Sequence, residues 1–350
     1  MNALESLACL RTPAEDGLLL RLKTRTPLYT GGIGQLGDQI HPSNLLGGIR
    51  HMSCLVARTL GDDRFEATVW GNPGLRDAKA RAKQIALHWD TRKLEPKVLP
   101  PEIRIPRDSG KNSRWWFNTA FEGDVALQVS RRGISDAHWK LLTLALAIQL
   151  RHGSFGSKDQ FGLGVMAPLE DAPFCDSLDT SAEWAKQVPA EPGKLNLLRY
   201  AFGRLHFRVP PGQRPRLDRQ TALTLALATR ATMRNALRAR PDAPEADAKR
   251  LTDLRHRMLG QLNQAGSAVN VSAAYGAEEC PELRVLVALR SENKDERQEI
   301  MKLFNSILSS QLDGAIDNTG YRMNGLSWEF GGAHTKDRAA WLNKLAGVQA

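Results

Sequence analysis

The order of strand and helix patterns along the chain is the sequence feature that most restricts its fold. Each half predicts the order β-α-β-β-α-β with insertions, starting from alternating apolar and polar residues at 18–28 and again at 195–209. Residues 135–151 predict a helix that is apolar nearly all round and is therefore buried. This order is that of a ferredoxin-like domain. We therefore predict an α+β fold with two ferredoxin-like (RRM-like) domains in tandem, carrying insertions.

The length of the chain and one polar stretch indicate the domain boundary. A chain of 350 residues favours two domains, and residues 168–194 are rich in Pro, Asp and Ser. We predict a first domain at 1–190, which carries the glycine-rich loops, and a second domain at 191–350. Three further predictions concern the first domain: a strand at 65–70, an irregular excursion at 91–113 and a pair of strands around Gly123.

The charge of the chain indicates its class of partner. Lysine and arginine number 48 against 38 acidic residues, which gives a net charge of +10. The excess is mostly arginine, whose planar guanidinium suits phosphate, so nucleic acid is the first partner to consider. A group of second-half arginines either adds to this positive surface or forms an ordinary solvated face: Arg199, Arg204, Arg208, Arg214, Arg216 and Arg219.

The sequence contains no metal-binding motif and no P-loop. The 4 cysteines form no CxxC pair, the 8 histidines show no metal-ligand spacing, and there is no GxxxxGK[ST] motif. The longest apolar run, at 141–150, is about half the length of a membrane span. The N-terminus lacks the pattern of a signal peptide. We therefore predict a protein of the cytoplasm with no cofactor, no metal and no membrane partner.

A glycine-rich loop at 31–37 follows the first strand, and Gly32 to Gly37 match GxGxxG formally. In a dinucleotide site the third glycine lies at the start of the helix, whereas here residues 38–42 intervene and Asp38 would face the pyrophosphate. Glycines beside cations instead allow main-chain N–H groups to reach the phosphates of an RNA backbone. The alternative interpretation is that these glycines only form tight turns.

Four short motifs carry a family resemblance. TPLYTGG at 26–32 is followed by IHPSNLLGGIR at 40–50, a second glycine-rich loop reads HGSFGSKDQFGLGV at 152–165, and LRHRMLG at 254–260 precedes GSAVNVS. These motifs resemble those of RAMP-superfamily CRISPR-associated proteins, most of all the family of subunit one of the Cmr (type III-B) effector complex. Lys158 lies where the family pattern has an arginine.

The resemblance implies an RNA-binding structural subunit of a type III CRISPR effector complex, not an enzyme. Such a subunit binds the 3′ part of the guide RNA and the facing target RNA in antiviral defence, beside other subunits of the complex. Residues that match the motifs, and cations beside them, form the candidate RNA-binding set: Arg25, Thr30, Gly31, Gly32, Ser43, Gly47, Gly48, Arg50, Arg58, Gly153, Ser154, Gly156, Lys158, Arg255 and Arg257.

Two other functions stay open at the level of sequence. Asp38 lies in a loop comparable to the one that carries the catalytic aspartate in RNA-cleaving backbone subunits of related CRISPR effectors. A metal site usually needs more than one carboxylate, and a lone loop aspartate is also typical of a turn or helix cap. The third hypothesis is a nucleotide- or dinucleotide-dependent enzyme that uses residues 32–37.

Overall fold

The computed structural model describes residues 17–31, 39–74, 79–99, 119–157, 162–170, 174–179, 194–239, 241–260, 266–333 and 337–348. Within these ranges the chain forms two antiparallel sheets and six α-helices. The predicted α+β class is therefore confirmed. None of the helices in these ranges is long and apolar enough to cross a membrane.

The first sheet is built from strands of the first half. Its strands are β1 (Gly17–Thr24), β2 (Ile85–Asp90), β3 (Leu94–Val98), β4 (Thr119–Arg131) and β5 (Met166–Pro168). Their order is β2-β4-β1-β5, and β3 continues the edge formed by β2 along the other part of β4. In β1 the buried Leu20, Leu22 and Thr24 alternate with exposed neighbours, as the period of a half-buried strand requires.

Two helices of this half pack against each other. Helix α1 spans Pro42–Thr59 and begins with proline at its first position, where no backbone donor is lost. Helix α2 spans Asp136–His152, and the Ser135 hydroxyl accepts a hydrogen bond from the His138 amide at its N-terminus. Every side chain from Leu141 to Leu150 is buried, because α1 and the C-terminal helix of the chain both pack against α2.

The second sheet is built from strands of the second half. It contains β6 (Tyr200–Arg208), β7 (Val269–Val271), β8 (Glu282–Ala288) and β9 (Arg322–Phe330), in the order β7-β8-β6-β9. All pairs are antiparallel, as in the first sheet. The four helices of this half are α3 (Arg219–Ala236), α4 (Glu245–Leu259), α5 (Lys294–Ala315) and α6 (Arg338–Ala346).

The two sheets have the same strand order if β2 and β3, which both pair with β4, are counted as a single edge strand. The central strands are then the first and third of each half, namely β1 and β4 in the first sheet and β6 and β8 in the second. Long helices follow the first strand and the third strand in each case. The ferredoxin-like assignment and the domain limits at 1–190 and 191–350 stay predictions.

Three element predictions are wrong. The excursion predicted as irregular at 91–113 contains a strand, because Leu94–Val98 form β3 and pair with β4. Residues predicted as a strand form a π-helical turn at Glu66–Trp70, where Glu66 pairs with arginines of α1 and the Trp70 indole donates to the Ser53 hydroxyl at 3.0 Å. These contacts with α1 outweigh the β propensity of the segment. Residues around Gly123 form one continuous strand, β4, because the Gly123 amide donates to the Thr24 hydroxyl of β1 at 2.9 Å.

Candidate nucleic-acid interface

Two glycine-rich segments pack against each other next to α1. They are residues 29–31 and residues 153–157, which we call the glycine junction. The Ser157 amide donates to the Tyr29 carbonyl oxygen at 2.7 Å. Gly156 has a φ of +84°, and a Cβ at this position would collide with the same Tyr29 oxygen. Only glycine fits at this position. The packing against Tyr29 therefore explains Gly156 without any contact to RNA.

The start of α1 is fixed to the glycine junction by Thr30. The Thr30 hydroxyl accepts from the His41 amide at 2.8 Å, and the Asn44 side-chain amide donates to the Thr30 carbonyl oxygen. The Thr30 side chain is buried. Thr30, predicted as an RNA-binding residue, is thus placed where it supports the N-terminus of α1, and Gly31 lies beside the Asn44 side chain.

Helix α1 also contacts the second glycine segment directly. A Cβ on Gly48 would lie 3.4 Å from the Gln149 side-chain nitrogen and 3.6 Å from the Ser154 carbonyl oxygen. The Gln149 amide nitrogen donates to that oxygen at 2.6 Å. Gln149 was missed by sequence reasoning, although it is the only amide side chain in the apolar stretch 141–150. It joins the end of α2 to the loop that contains Gly153 and Ser154.

The opposite face of α1 is open. Ser43, Gly47 and Arg50 are exposed and fall at helical spacing on one face. No heavy atom lies within 4 Å of the position of a Cβ on Gly47. The backbone of α1 is therefore accessible at Gly47, one turn before the Arg50 guanidinium.

Two arginines of α1 share one carboxylate. Arg50 contacts Glu66 Oε1 through Nε at 3.1 Å and Nη2 at 2.9 Å, and Arg58 contacts Glu66 Oε2 at 3.0 Å. Two cations and one anion leave a positive charge on the group. The Arg50 side chain is 51% exposed, which leaves guanidinium N–H groups for an external acceptor. Glu66 was missed because sequence spacing predicted a strand at this point.

His51 adds no charge to this surface. Its pKa is lowered, first by burial and then by the positive charge of Arg58, so the ring is neutral near pH 7. The imidazole nitrogen lies 3.4 Å from the Tyr200 hydroxyl. His51 thus joins α1 to β6 of the second sheet.

The second glycine segment is held in place from the second half. Arg284 of β8 donates to the Leu150 carbonyl oxygen at 2.7 Å and to that of Gly153 at 3.4 Å. Arg204 of β6 donates to the Arg151 carbonyl oxygen at 2.8 Å. These carbonyls belong to the end of α2, where the helix supplies no donor of its own. Two arginines therefore cap the helix that leads into the glycine junction.

A half-buried carboxylate orients both capping arginines. Glu282 pairs with Arg204 at 2.6 Å and accepts from the Tyr275 hydroxyl at 2.7 Å, and Tyr275 in turn accepts from Arg284 at 2.5 Å. Burial raises the pKa of Glu282, but the bonds from Tyr275 and Arg204 outweigh burial and lower it. The Glu282 carboxylate is thus ionised near neutral pH.

Three candidate residues lie away from the open face of α1. Arg25 is exposed at the end of β1, where it lines a cavity of about 270 Å³ between the halves together with Glu122 and Arg219. Arg257 of α4 pairs with Glu296 of α5 at 2.6 Å. Arg255 is half-buried, and its Nε has no partner among the described residues. The described contacts do not bring these three side chains to the glycine junction.

Several of the second-half arginines contribute less positive surface than expected. Arg199 pairs with Glu292, Arg204 with Glu282, and Arg219 with Glu122, each at 2.6 Å. Gly32, Asp38 and Lys158 lie outside the described residues, as does the GxGxxG segment, so the predictions on them stay predictions. Within the ranges that the structure describes, no group of three or more His, Cys, Asp or Glu side chains could hold a metal ion.

Comparisons with known proteins give matches to solved structures alone. No protein-family model and no curated protein matches the sequence. The fold is similar to the crystal structure of apo Cmr1 from Pyrococcus furiosus, with a TM-score of 0.48 and 13% identity over 90% of this chain and 98% of that chain. It is also similar to a chain of the Type III-B Cmr-beta complex bound to cognate target RNA, with a TM-score of 0.45 and 11% identity over 84% of this chain and 100% of that chain.

A second Cmr-beta structure, bound to cognate target RNA and AMPPnP in the presence of ssDNA, gives a TM-score of 0.48 and 11% identity over 85% of this chain and 99% of that chain. All of these are structures of the Cmr system that the sequence motifs resemble.

Proposed function

We propose that the protein is an RNA-binding structural subunit of a type III CRISPR effector complex. Its partners in this proposal are a guide RNA, a target RNA and the neighbouring subunits, in the cytoplasm of a cell defended against foreign nucleic acid. These partner classes come from the motifs at 26–32, 40–50, 152–165 and 254–260. In this role the chain binds RNA and carries out no cleavage.

The open face of α1 is the observation that supports the proposal most strongly. An uncovered Gly47 backbone lies one turn from Arg50, on a helix whose N-terminus is fixed to the glycine junction. A phosphate chain can approach a helix closely where no Cβ projects, and a guanidinium beside it can donate to phosphate oxygens. This arrangement favours recognition of an RNA backbone over reading of bases.

Replacing Arg50 with alanine is expected to weaken binding of single-stranded RNA about tenfold, or about 1.4 kcal/mol. The loss removes one phosphate contact, so the dependence of the affinity on salt should become shallower as well. Fluorescence anisotropy with a labelled single-stranded RNA at several salt concentrations measures both effects.

Arg92→Ala is the matched control for this variant. Arg92 is also an exposed arginine paired with a carboxylate, since it contacts Asp90 at 2.6 Å, but it lies in the turn between β2 and β3. The Arg92→Ala variant loses the same charge as the Arg50→Ala variant. Its affinity for single-stranded RNA should stay within about twofold of that of the unaltered protein. Equal RNA affinities of the Arg50 and Arg92 variants would show that Arg50 does not contact the RNA.

Replacing Gly47 with alanine is expected to stabilise the protein and weaken RNA binding at the same time. Alanine in a helix interior is favoured over glycine by about 0.5–1 kcal/mol, and the space at Gly47 is empty. The added methyl group would hold a phosphate chain away from the backbone. Thermal unfolding and RNA titration of the same preparation measure the two effects.

The control for Gly47 is Gly314→Ala. Gly314 lies in α5, is exposed and likewise has no heavy atom within 4 Å of the Cβ position. It should give a comparable gain in stability without any change in RNA affinity. An unchanged affinity of the Gly47 variant would show that no ligand approaches α1 at this point.

A further inference from the structure

Residues 79–83 precede β2 and are exposed without interruption. Three of them are cations at alternate positions, Lys79, Arg81 and Lys83, and we call these five residues the basic segment. No carboxylate in the part of the chain that the structure describes forms an ion pair with them. This differs from Arg50 and Arg58, which are partly neutralised by Glu66.

Backbone hydrogen bonds hold the basic segment against the turn that follows α1. Arg81 and Asn72 exchange two backbone hydrogen bonds, at 2.9 and 3.0 Å, and the Gln84 amide donates to the Val69 carbonyl oxygen at 3.0 Å. Gly71 has a φ of +87°, and a Cβ there would lie 2.9 Å from the Arg81 carbonyl oxygen. The backbone is therefore fixed by hydrogen bonds and close packing, whereas the cationic side chains are exposed to solvent.

The same turn connects the basic segment to α1. Arg81 donates to the Thr68 hydroxyl at 3.4 Å, and Thr68 is two residues from the Glu66 that holds Arg50 and Arg58. Lys83 lies 5.4 Å above the Trp70 ring, whose nitrogen donates to Ser53 of α1. The cations of α1 and of the basic segment thus lie on either side of one short turn.

A polyanion is the chemistry that fits this surface. Cations that are buried or paired with carboxylates need no ligand. Exposed cations at alternate positions of a segment held by backbone hydrogen bonds can each contact a successive phosphate of a flexible chain. Arg64, which precedes the turn, and Arg132, whose amide donates to the Gln84 carbonyl at 2.7 Å, are exposed cations next to it.

We propose that the basic segment is a second phosphate-binding site, which extends the path of single-stranded RNA from the open face of α1 across the Glu66–Trp70 turn. This inference rests on the proposed function. It assigns Lys79, Arg81 and Lys83 to the RNA backbone, with contacts that are independent of base sequence.

The test compares two triple variants of the full chain that lose the same charge. One is Lys79→Gln, Arg81→Gln and Lys83→Gln. The control is Arg238→Gln, Lys294→Gln and Lys302→Gln, three exposed cations of the second half. Binding of an unstructured single-stranded RNA longer than 20 nucleotides is titrated between about 50 and 300 mM salt.

The basic-segment variant is expected to bind at least tenfold more weakly at low salt, with the slope of log K against log salt shallower by about 2, since each phosphate contact contributes about 0.7. The control variant is expected to change the affinity less than threefold. Ultraviolet cross-linking of a thiouridine-labelled RNA should also yield a cross-linked peptide that contains residues 79–84.

Two outcomes contradict the inference in different ways. If the unaltered protein binds RNA and the Arg50 variant is weakened, but the two triple variants behave alike, the basic segment is not a site although the proposed function stands. If the unaltered protein does not bind single-stranded RNA at any salt concentration, both proposals are wrong. Equal thermal unfolding of the two triple variants would confirm that neither result arises from misfolding.

Discussion

Replacing Arg284 with methionine is expected to lower the free energy of unfolding by about 2–4 kcal/mol, since each buried polar group left without a partner costs about 1–3 kcal/mol. The guanidinium donates to the Leu150 and Gly153 carbonyls and to the Tyr275 hydroxyl, and its side chain is 8% exposed. Methionine fills much of the volume but supplies no donor. Urea unfolding followed by circular dichroism measures the loss.

Arg208→Met provides the control for the Arg284 variant. Arg208 is at the end of β6, is exposed and forms no ion pair among the described residues. Its replacement should change the free energy of unfolding by less than about 0.5 kcal/mol. A similar small change for Arg284 would show that the end of α2 does not depend on donors from the second half.

Replacing Gly156 with alanine is expected to destabilise the protein by at least about 3 kcal/mol. A left-handed backbone costs a residue with a side chain about 1–2 kcal/mol, and the new methyl group would also collide with the Tyr29 carbonyl oxygen. Because that contact joins the two segments of the glycine junction, RNA binding should fall in the same variant.

The variant Gly133→Ala separates the free-energy cost of the left-handed backbone from that of the collision with the Tyr29 carbonyl oxygen. Gly133 has the same φ of +84°, but no heavy atom lies within 4 Å of its Cβ position. This variant should lose only the 1–2 kcal/mol of the left-handed conformation. Equal losses at the two positions would contradict the close packing of residues 29–31 on residues 153–157.

Patterns of local sequence predicted the α+β class because they depend on short-range periodicity. The alternation in β1 and the apolar circumference of α2 are properties of neighbouring residues, and both appear in the structure at the predicted places. Pro42 likewise starts α1 as its chemistry predicts. Where a tertiary contact decides the conformation, as for Glu66 and Trp70, the local pattern predicted the wrong element.

The contacts that position the candidate site were not predictable from sequence for the same reason. The side chain of Gln149 bonds to Ser154, 5 positions away, and Glu66 bonds to Arg50, 16 positions away. Arg284 bonds to Leu150, 134 positions away. Sequence analysis identified the motif residues Gly47, Gly48 and Arg50, but it did not show which of them face solvent. The structure divides them, since Gly48 packs on α2 whereas Gly47 and Arg50 are exposed.

The most direct test of RNA binding is the salt dependence of the affinity of the full chain for single-stranded RNA. Several phosphate contacts predict a steep, linear fall of log K with log salt, with a slope of about −0.7 per contact. Arg50 and the basic segment together predict a slope of about −3 or steeper. An affinity that does not change between about 50 and 300 mM salt, or no binding at all, would contradict the proposal that this protein binds an RNA backbone.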